Sequence, residues 1–386
     1  MKSLRLTVIT AAVALISIGQ PISFGFLKSS PNGTLVYAAE KESKDNSEIA
    51  NIAKKITVRI EGATKGSGVI VKREGTRYTI LTAWHVVKDN LPNEEVGIIT
   101  SDGREHFWES KSLKRLGKVD MAVITFTSKK KYKLAIIGDS KKVKYQDQVY
   151  VAGFPLFDVG NLKLESGEVV ANADVSIDQG YQLLYTNQTK KGMSGGVILN
   201  KNGELIGLHG RGEIDRKKKQ EEVISKTGIN QGVPINFYKQ FLNGLTVEVS
   251  NKNSTTADDY LAQAIASQDK KGREQTVIRL INEALKLKED IPSAYFIRGY
   301  AYLESGYKKR AIADYSKAIE FYPRYEDAYY NRGNSKYKLK DFLGAIADYS
   351  KAIEINPRDE DTYYNRGSSK YELKDFLGAI ADFNKA

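Results

Sequence analysis

The chain has 386 residues, 41% hydrophobic and 27% charged, the composition of a globular protein with room for two or three domains. Its net charge of +12 raises nucleic acid as a partner, but Lys and Arg are scattered through both halves, so a solvated basic surface is the reading and no nucleic acid is expected. The absence of cysteine excludes disulfides, thiolate metal sites and a cysteine nucleophile.

At the N-terminus, Lys2 and Arg5 precede an apolar run over residues 6–18, and no acidic residue occurs before Glu40. Ala38 and Ala39 close the segment and the polar stretch EKESKDNSE follows. This pattern predicts a secretory signal peptide over 1–39, cleaved after Ala38 or Ala39, and a polar segment over 40–48. The apolar run is short of the roughly 20 residues that span a bilayer. The mature protein is therefore expected to be exported, without a membrane span, to the periplasm, thylakoid lumen or extracellular space.

Residues 49–245 read as strands. ITVRI, SGVIVK, YTILTA, MAVITF, QVYVAGF and GVILN alternate with Gly, Asn, Asp and Lys turns, and helical periodicity is nearly absent. The exception is a short helix predicted over 235–245. Residues 246–258 are polar, lack aromatics and read as a linker.

From 259 to 386 the pattern is helical and repeats. Ala294-Tyr295-Phe296-Ile297-Arg298-Gly299 recurs 34 residues later from Ala328 and again from Thr362, and Pro323 and Pro357 share that step. AIADYSKAIEFYP and AIADYSKAIEINP are followed by AIADFNKA, which ends at Ala386. This order resembles the tetratricopeptide repeat, a pair of antiparallel helices per unit. The resemblance implies one degenerate repeat, two full repeats and one incomplete repeat.

Three residues could do chemistry together. His85 follows a strand in Leu81-Thr82-Ala83-Trp84-His85, Asp120 precedes one in Val119-Asp120-Met121-Ala122, and Ser194 stands in Gly192-Met193-Ser194-Gly195-Gly196. A serine hydroxyl needs a base to take its proton, and the base needs a carboxylate to fix its tautomer. The three contexts, in this order, resemble the chymotrypsin-like (trypsin-fold) serine proteases over 49–245. That resemblance implies a double six-stranded β-barrel followed by the helical solenoid. It makes His85 the general base, Asp120 its orienter and Ser194 the nucleophile, with the N–H groups of Gly192 and Ser194 as oxyanion hole. Gly66-Ser67-Gly68 matches an early turn of bacterial members. His106 has no such context and reads as structural, and no metal or cofactor is expected.

The same resemblance bears on specificity. Trypsin carries an aspartate six positions before its serine, where Gln188 stands here, so preference for Lys or Arg is disfavoured. Leu205-Ile206-Gly207-Leu208-His209-Gly210-Arg211-Gly212 is similar to a strand of the glutamyl endopeptidases, whose histidine grips an acidic side chain with a threonine five positions before the serine. His209 and Thr189 match them and imply a Glu or Asp preference, with Lys190, Lys191 and Arg211 adding positive potential. The backbone of Gly210, Arg211 and Gly212 is expected to pair with extended substrate. Met193 replaces the aspartate that switches trypsin zymogens on, so that switch is absent.

Stacked repeats bind peptides or proteins on a curved surface. Arg298, Asn331, Arg332, Asn365 and Arg366 recur on the first helix of the units. They either bind acidic or C-terminal carboxylates of a partner in the groove, or are solvated or packed against the next repeat. Two functions follow: an exported serine endopeptidase whose repeats dock polypeptide substrates or regulators, or a catalytically silent adaptor on the same fold.

Overall fold

The computed structural model describes residues 27–29, 35–37, 44–91, 94–158, 160–175, 178–212, 228–248, 253–268 and 272–386. Residues 1–43 form one unit, of which an antiparallel hairpin of β1 (Leu27–Ser29) and β2 (Leu35–Tyr37) is described. Apart from that hairpin, the signal-peptide expectation lies outside the described residues. Residues 44–386 form the second unit.

This second unit opens with a helix where a polar segment leading straight into strands was expected. In α1 (Asn46–Ile56) the Asp45 carboxylate accepts the N–H of Glu48 at 2.7 Å and caps the first turn. Ile49, Ala53 and Ile56 recur at helical spacing and are buried.

Seven antiparallel strands follow, hydrogen-bonded in the order β7 (Glu105–Phe107), β6 (Gly97–Ile99), β3 (Thr57–Glu61), β4 (Lys65–Glu74), β5 (Arg77–Thr82), β9 (Ala122–Thr127), β8 (Lys114–Arg115). The side-chain period of two sends Val58, Ile60, Ile70, Tyr78, Ile80, Ile124 and Phe126 into one core. Tyr78 and Phe126 stack there with ring centroids 5.2 Å apart. The six-stranded closure expected for this half is not made by hydrogen bonds, because β7 and the two-residue β8 end the sheet unpaired with each other. Gly66-Ser67-Gly68 is not a turn but lies within β4, paired to β3 and β5.

A second sheet closes into a six-stranded barrel: β10 (Gln148–Gly153), β11 (Lys163–Asn172), β12 (Leu183–Tyr185), β15 (Asn230–Pro234), β14 (Leu205–Arg211) and β13 (Val197–Asn200), which returns to β10. Its interior holds Val149, Val151, Leu183, Tyr185, Met193 and Ile198. A separate cluster fills the seam between the sheets, joining Val69, Leu81 and Val123 of the first to Tyr150, Val197 and Leu208 of the second. Helix α3 (Asn236–Leu242) packs there through Phe237 and Tyr238. The architecture is the double β-barrel arrangement followed by a helical solenoid.

The helices stack as α4 (Ala257–Gln268) with α5 (Glu274–Leu287), α6 (Pro292–Glu304) with α7 (Lys308–Phe321), α8 (Glu326–Tyr337) with α9 (Phe342–Ile355), and α10 (Glu360–Glu372) with α11 (Phe376–Phe383). A Cβ on Gly299, Gly333 or Gly367 would come within 3.0 Å of the ring of Tyr315, Tyr349 or Phe383, so the repeated small–aromatic pair is a packing contact between the helices of one unit. The linker read over 246–258 gives way to α4 at Ala257. Asp258 accepts the N–H of Asn172, and Asp259 those of Asp174 and Val175, while Leu261 and Ile265 share a core with Val170, Ala171 and Leu184. The solenoid is therefore seated on the barrel by buried apolar area and capped amides.

Arg298, Arg332 and Arg366 bind within the solenoid. Each makes a two-pronged ion pair with an aspartate 16 residues on, Asp314, Asp348 and Asp382, and a further bond to Asn282, Ser316 and Ser350 respectively. Asn331 and Asn365 are buried; the side-chain N–H groups of Asn365 bond Tyr330 and Asn334. The described bonds of the three arginines and Asn365 run to their own and neighbouring repeats, and Asn331 donates to Asp327 O in its own helix.

Candidate active site

His85 sits on the single turn α2 (Trp84–Val87) that follows β5, and Asp120 lies in the tight turn before β9, where Leu116 N–H reaches Met121 O at 2.9 Å. Both edges belong to the seven-stranded sheet, so adjacent strands β5 and β9 bring the two together. Asp120 Oδ1 accepts the backbone N–H of His85 at 2.8 Å and Oδ2 accepts Nδ1–H at 2.7 Å. The assignment of the ring proton to Nδ1 follows from the carboxylate having only lone pairs to offer. Asp120 is 1% exposed, whereas the imidazole is partly open. Burial pushes the Asp120 carboxyl up, but the bonds and charge of His85 outweigh it, with help from the Tyr181 hydroxyl, and the carboxyl titrates below its ordinary value.

Ser194 comes from the turn before β13. Its carbonyl accepts Ser67 N–H at 2.8 Å, and Ser67 O accepts the Thr82 hydroxyl at 2.6 Å, three residues before His85. This relay ties the serine turn of the closed barrel to the β5 end of the other sheet. The Ser194 hydroxyl donates to Gly210 O at 3.1 Å, and no described hydrogen bond joins it to His85. Gly192 has φ +95°, and a Cβ there would lie 2.5 Å from Leu156 N and 2.8 Å from Phe154 O. Only glycine takes this conformation at low cost, and the neighbouring backbone leaves no room for a side chain. Among the described residues, neither Gly192 N–H nor Ser194 N–H has an acceptor, so the serine turn carries two unoccupied donors. Met193 turns inward, fully buried in the barrel core, and anchors this turn.

The predicted specificity residues are placed less uniformly. His209 is buried, with Nδ1 2.6 Å from the Tyr185 hydroxyl, and burial lowers its pKa to about 3, so its ring is neutral. Burial pushes Tyr185 well above its ordinary value, so its hydroxyl is neutral; with that O–H assigned as the donor to Nδ1, the ring proton of His209 sits on Nε2. Thr189 donates to Asn230 Oδ1 at 2.6 Å, and no described hydrogen bond links it to His209. The pairing of β13 with β14, extended by His209 N–H to Gly196 O, stops at His209, so Gly210, Arg211 and Gly212 run on beyond it.

His106 lies apart, 2.9 Å from the Tyr132 hydroxyl and packed on Phe126. Among the described residues no group of three or more metal-ligating side chains is placed to hold an ion, and no helix is long and apolar enough to cross a membrane. Sequence reasoning missed Tyr181, whose hydroxyl reaches Asp120, and Ser67, whose hydroxyl accepts Phe154 N–H at 2.8 Å beside the glycine turn. Nothing in the local sequence of Tyr181 distinguishes it, and the Gly66-Ser67-Gly68 motif marked the place of Ser67 but not its contact with Phe154. It also missed a cleft of about 710 Å³ between residues 186–190 of the barrel and the solenoid, where Gln188, Thr189 and Lys190 face Tyr322, Arg324 and Arg358.

Residues 66–208 match the family model of the trypsin-like peptidase domain, and residues 326–359 and 309–340 match models of the tetratricopeptide repeat. The chain is 30% identical over 147 residues to the periplasmic pH-dependent serine endoprotease DegQ of Escherichia coli (strain K12), covering 37% of this chain and 30% of that protein. It is 28% identical over 153 residues to the serine protease Do-like HtrB of Bacillus subtilis (strain 168), covering 37% of this chain and 32% of that one. A probable periplasmic serine endoprotease DegP-like of Rhizobium meliloti (strain 1021) is 27% identical over 153 residues, 39% of this chain and 28% of its own length. The chain thus spans about a third or less of the curated relatives it matches.

Proposed function

We propose that this chain, a trypsin-like peptidase domain joined to tetratricopeptide repeats, is an exported serine endopeptidase working through an acyl-enzyme. The observation that carries the reading is the buried Asp120 bonded to the backbone N–H and to Nδ1–H of His85, which leaves Nε2 as the basic nitrogen of the ring. In the reaction the Ser194 hydroxyl leaves Gly210 O by rotating about its side-chain bond. It attacks the scissile carbonyl as its proton passes to His85 Nε2. Negative charge gathering on the carbonyl oxygen is met by the N–H groups of Gly192 and Ser194. The imidazolium, held by Asp120, returns the proton to the leaving amine, and water repeats the sequence on the acyl-enzyme.

Substrate backbone extends β14 along Gly210, Arg211 and Gly212. A preference for Glu or Asp on the acyl side rests on Thr189 and on neutral His209 acting as a hydrogen-bond donor through Nε2, not as a cation. The repeats dock the substrate or a regulator protein, and the cleft lined by Thr189 and Lys190 lies next to the serine turn in sequence. Export follows from the sequence pattern of residues 1–39, and two of the relatives are named as periplasmic.

The adaptor reading draws on one contact, the resting bond of Ser194 to Gly210 instead of His85. Digestion of β-casein by the protein from residue 40, with sequencing of new termini, separates the two. Cleavage after acidic residues that is lost in Ser194→Ala supports the peptidase; digestion no faster than in that variant supports the adaptor. Cleavage without enrichment of acidic residues removes the Glu/Asp preference alone.

A further inference from the structure

Asp120 is held from the closed barrel as well as from its own sheet. Segment 179–181 crosses the seam: Gln179 O accepts Asp120 N–H at 2.7 Å, and the Tyr181 hydroxyl donates to Asp120 Oδ2, the oxygen that also accepts His85 Nδ1–H. The ring of Tyr181 occupies the space a side chain would fill at position 210. A Cβ on Gly210 would lie 2.1 Å from its Cε1. The Arg211 guanidinium sits over the ring, 4.3 Å from its centroid. Burial and the Asp120 charge drive the phenol pKa far up, so the hydroxyl remains a donor.

From this arrangement we infer that Tyr181 is a positioning residue for the Asp120–His85 pair, an inference resting on the proposed role of that pair. A carboxylate offers about four lone-pair sites, and His85 fills two of Asp120's. Tyr181 fills a third, which fixes the carboxylate plane and draws charge from the oxygen facing the imidazole. The ring also links strand β14, where substrate backbone is proposed to pair, to the base through Gly210 and Arg211. The other titratable or charged groups around the cluster are His209 and Tyr185 from the barrel, with Arg115 over the neighbouring Trp84 ring. His209 and Tyr185 are uncharged at neutral pH.

Tyr181→Phe keeps the ring and removes the donor. Asp120 then carries more charge towards the imidazolium, so the base holds its proton to higher pH and the acidic limb of the rate profile moves up. The expected result is an acidic midpoint raised by about half a pH unit, with the fluorophosphonate labelling rate below that midpoint about threefold lower, each pH unit being a tenfold change in the equilibrium. Gly210→Ala, which displaces the ring while leaving the phenol present, is expected to reproduce the midpoint shift. A tyrosine that only packs would leave the midpoint where it was, and an unchanged midpoint in a folded Tyr181→Phe protein overturns the inference. With three histidines in the chain, the His85 titration is also followed by NMR in Ser194→Ala, with and without Tyr181→Phe. That readout needs no activity. A wild-type protein that takes no label refutes the peptidase reading, whereas an unmoved His85 titration refutes the role of Tyr181.

Discussion

Replacing Gly192 by alanine probes the serine turn through a single atom. The φ of +95° costs an L-residue on the order of 1–3 kcal/mol in backbone strain alone. The new Cβ would also stand 2.5 Å from Leu156 N and 2.8 Å from Phe154 O, which are backbone atoms and cannot swing aside as a flexible side chain would. Leu156 N–H is bonded to Lys191 O at 2.7 Å, so the relief open to the loop is to break that bond and turn the 191–192 peptide. Turning it carries Gly192 N–H away from the place proposed for the oxyanion, and loss of one such donor costs roughly 10²–10³ in rate. Gly75→Ala is the control: Gly75 also has positive φ, +61°, but no atom lies within 4 Å of its Cβ position and it is in the β4–β5 turn. The assay is the second-order rate of fluorophosphonate labelling, read beside the thermal midpoint. Gly192→Ala should lose both stability and at least a hundredfold in labelling, whereas Gly75→Ala loses about 1 kcal/mol and no rate. Wild-type labelling by a folded Gly192→Ala protein refutes the assignment of that amide.

Four further outcomes follow. Asp120→Asn keeps the shape but offers His85 Nδ1 an amide, so peptide hydrolysis should drop by about 10³–10⁴-fold with little change in melting temperature; a tenfold drop or less contradicts the orienting role. Met193→Asp places a carboxylate in the barrel core and should cost several kcal/mol in urea unfolding, and an unchanged midpoint would show that the core opens there. His209 titrates at about 3 when folded and near 6.5 when unfolded, so below pH 6.5 the unfolded chain gains a proton the native state refuses. Stability should fall on acidification through that window down to about pH 3, with a shallower slope in His209→Gln; equal slopes count against the neutral buried ring. Arg332→Ala leaves Asp348, 5% exposed at its side chain, with Lys336 as its remaining described ion-pair partner, and should destabilise the solenoid by about 2–3 kcal/mol by calorimetry while labelling of Ser194 is unaffected.

The repeats were the most legible part of the chain, because a fixed step of 34 residues exposes the same helix pair several times. The contexts of His85 and Asp120 stood out in the sequence together, and the adjacent strands β5 and β9 bring the two side chains into contact. Helix α1 escaped because its apolar spacing, Ile49, Ala53 and Ile56, covers barely two turns and runs straight into β3. Gly66-Ser67-Gly68 reads as a turn since glycine marks turns, yet the chain spends those glycines on close approach inside a strand. The arginines of the repeats were open to a partner-binding reading because their aspartates lie on the next helix. The signal was present, since Asp314, Asp348 and Asp382 recur at the same step as Arg298, Arg332 and Arg366. Tyr181 could not be found at all: it meets Asp120 across the seam, 61 residues away in sequence.

Whether Ser194 is a nucleophile activated by His85 and Asp120 is read most directly by covalent labelling. Protein from residue 40 is incubated with a fluorophosphonate and the modified peptide identified by mass spectrometry, with Ser194→Ala and His85→Ala alongside. One phosphonylated residue, Ser194, is expected, with label lost in both variants. An unlabelled wild-type protein, or equal labelling in His85→Ala, would contradict that expectation.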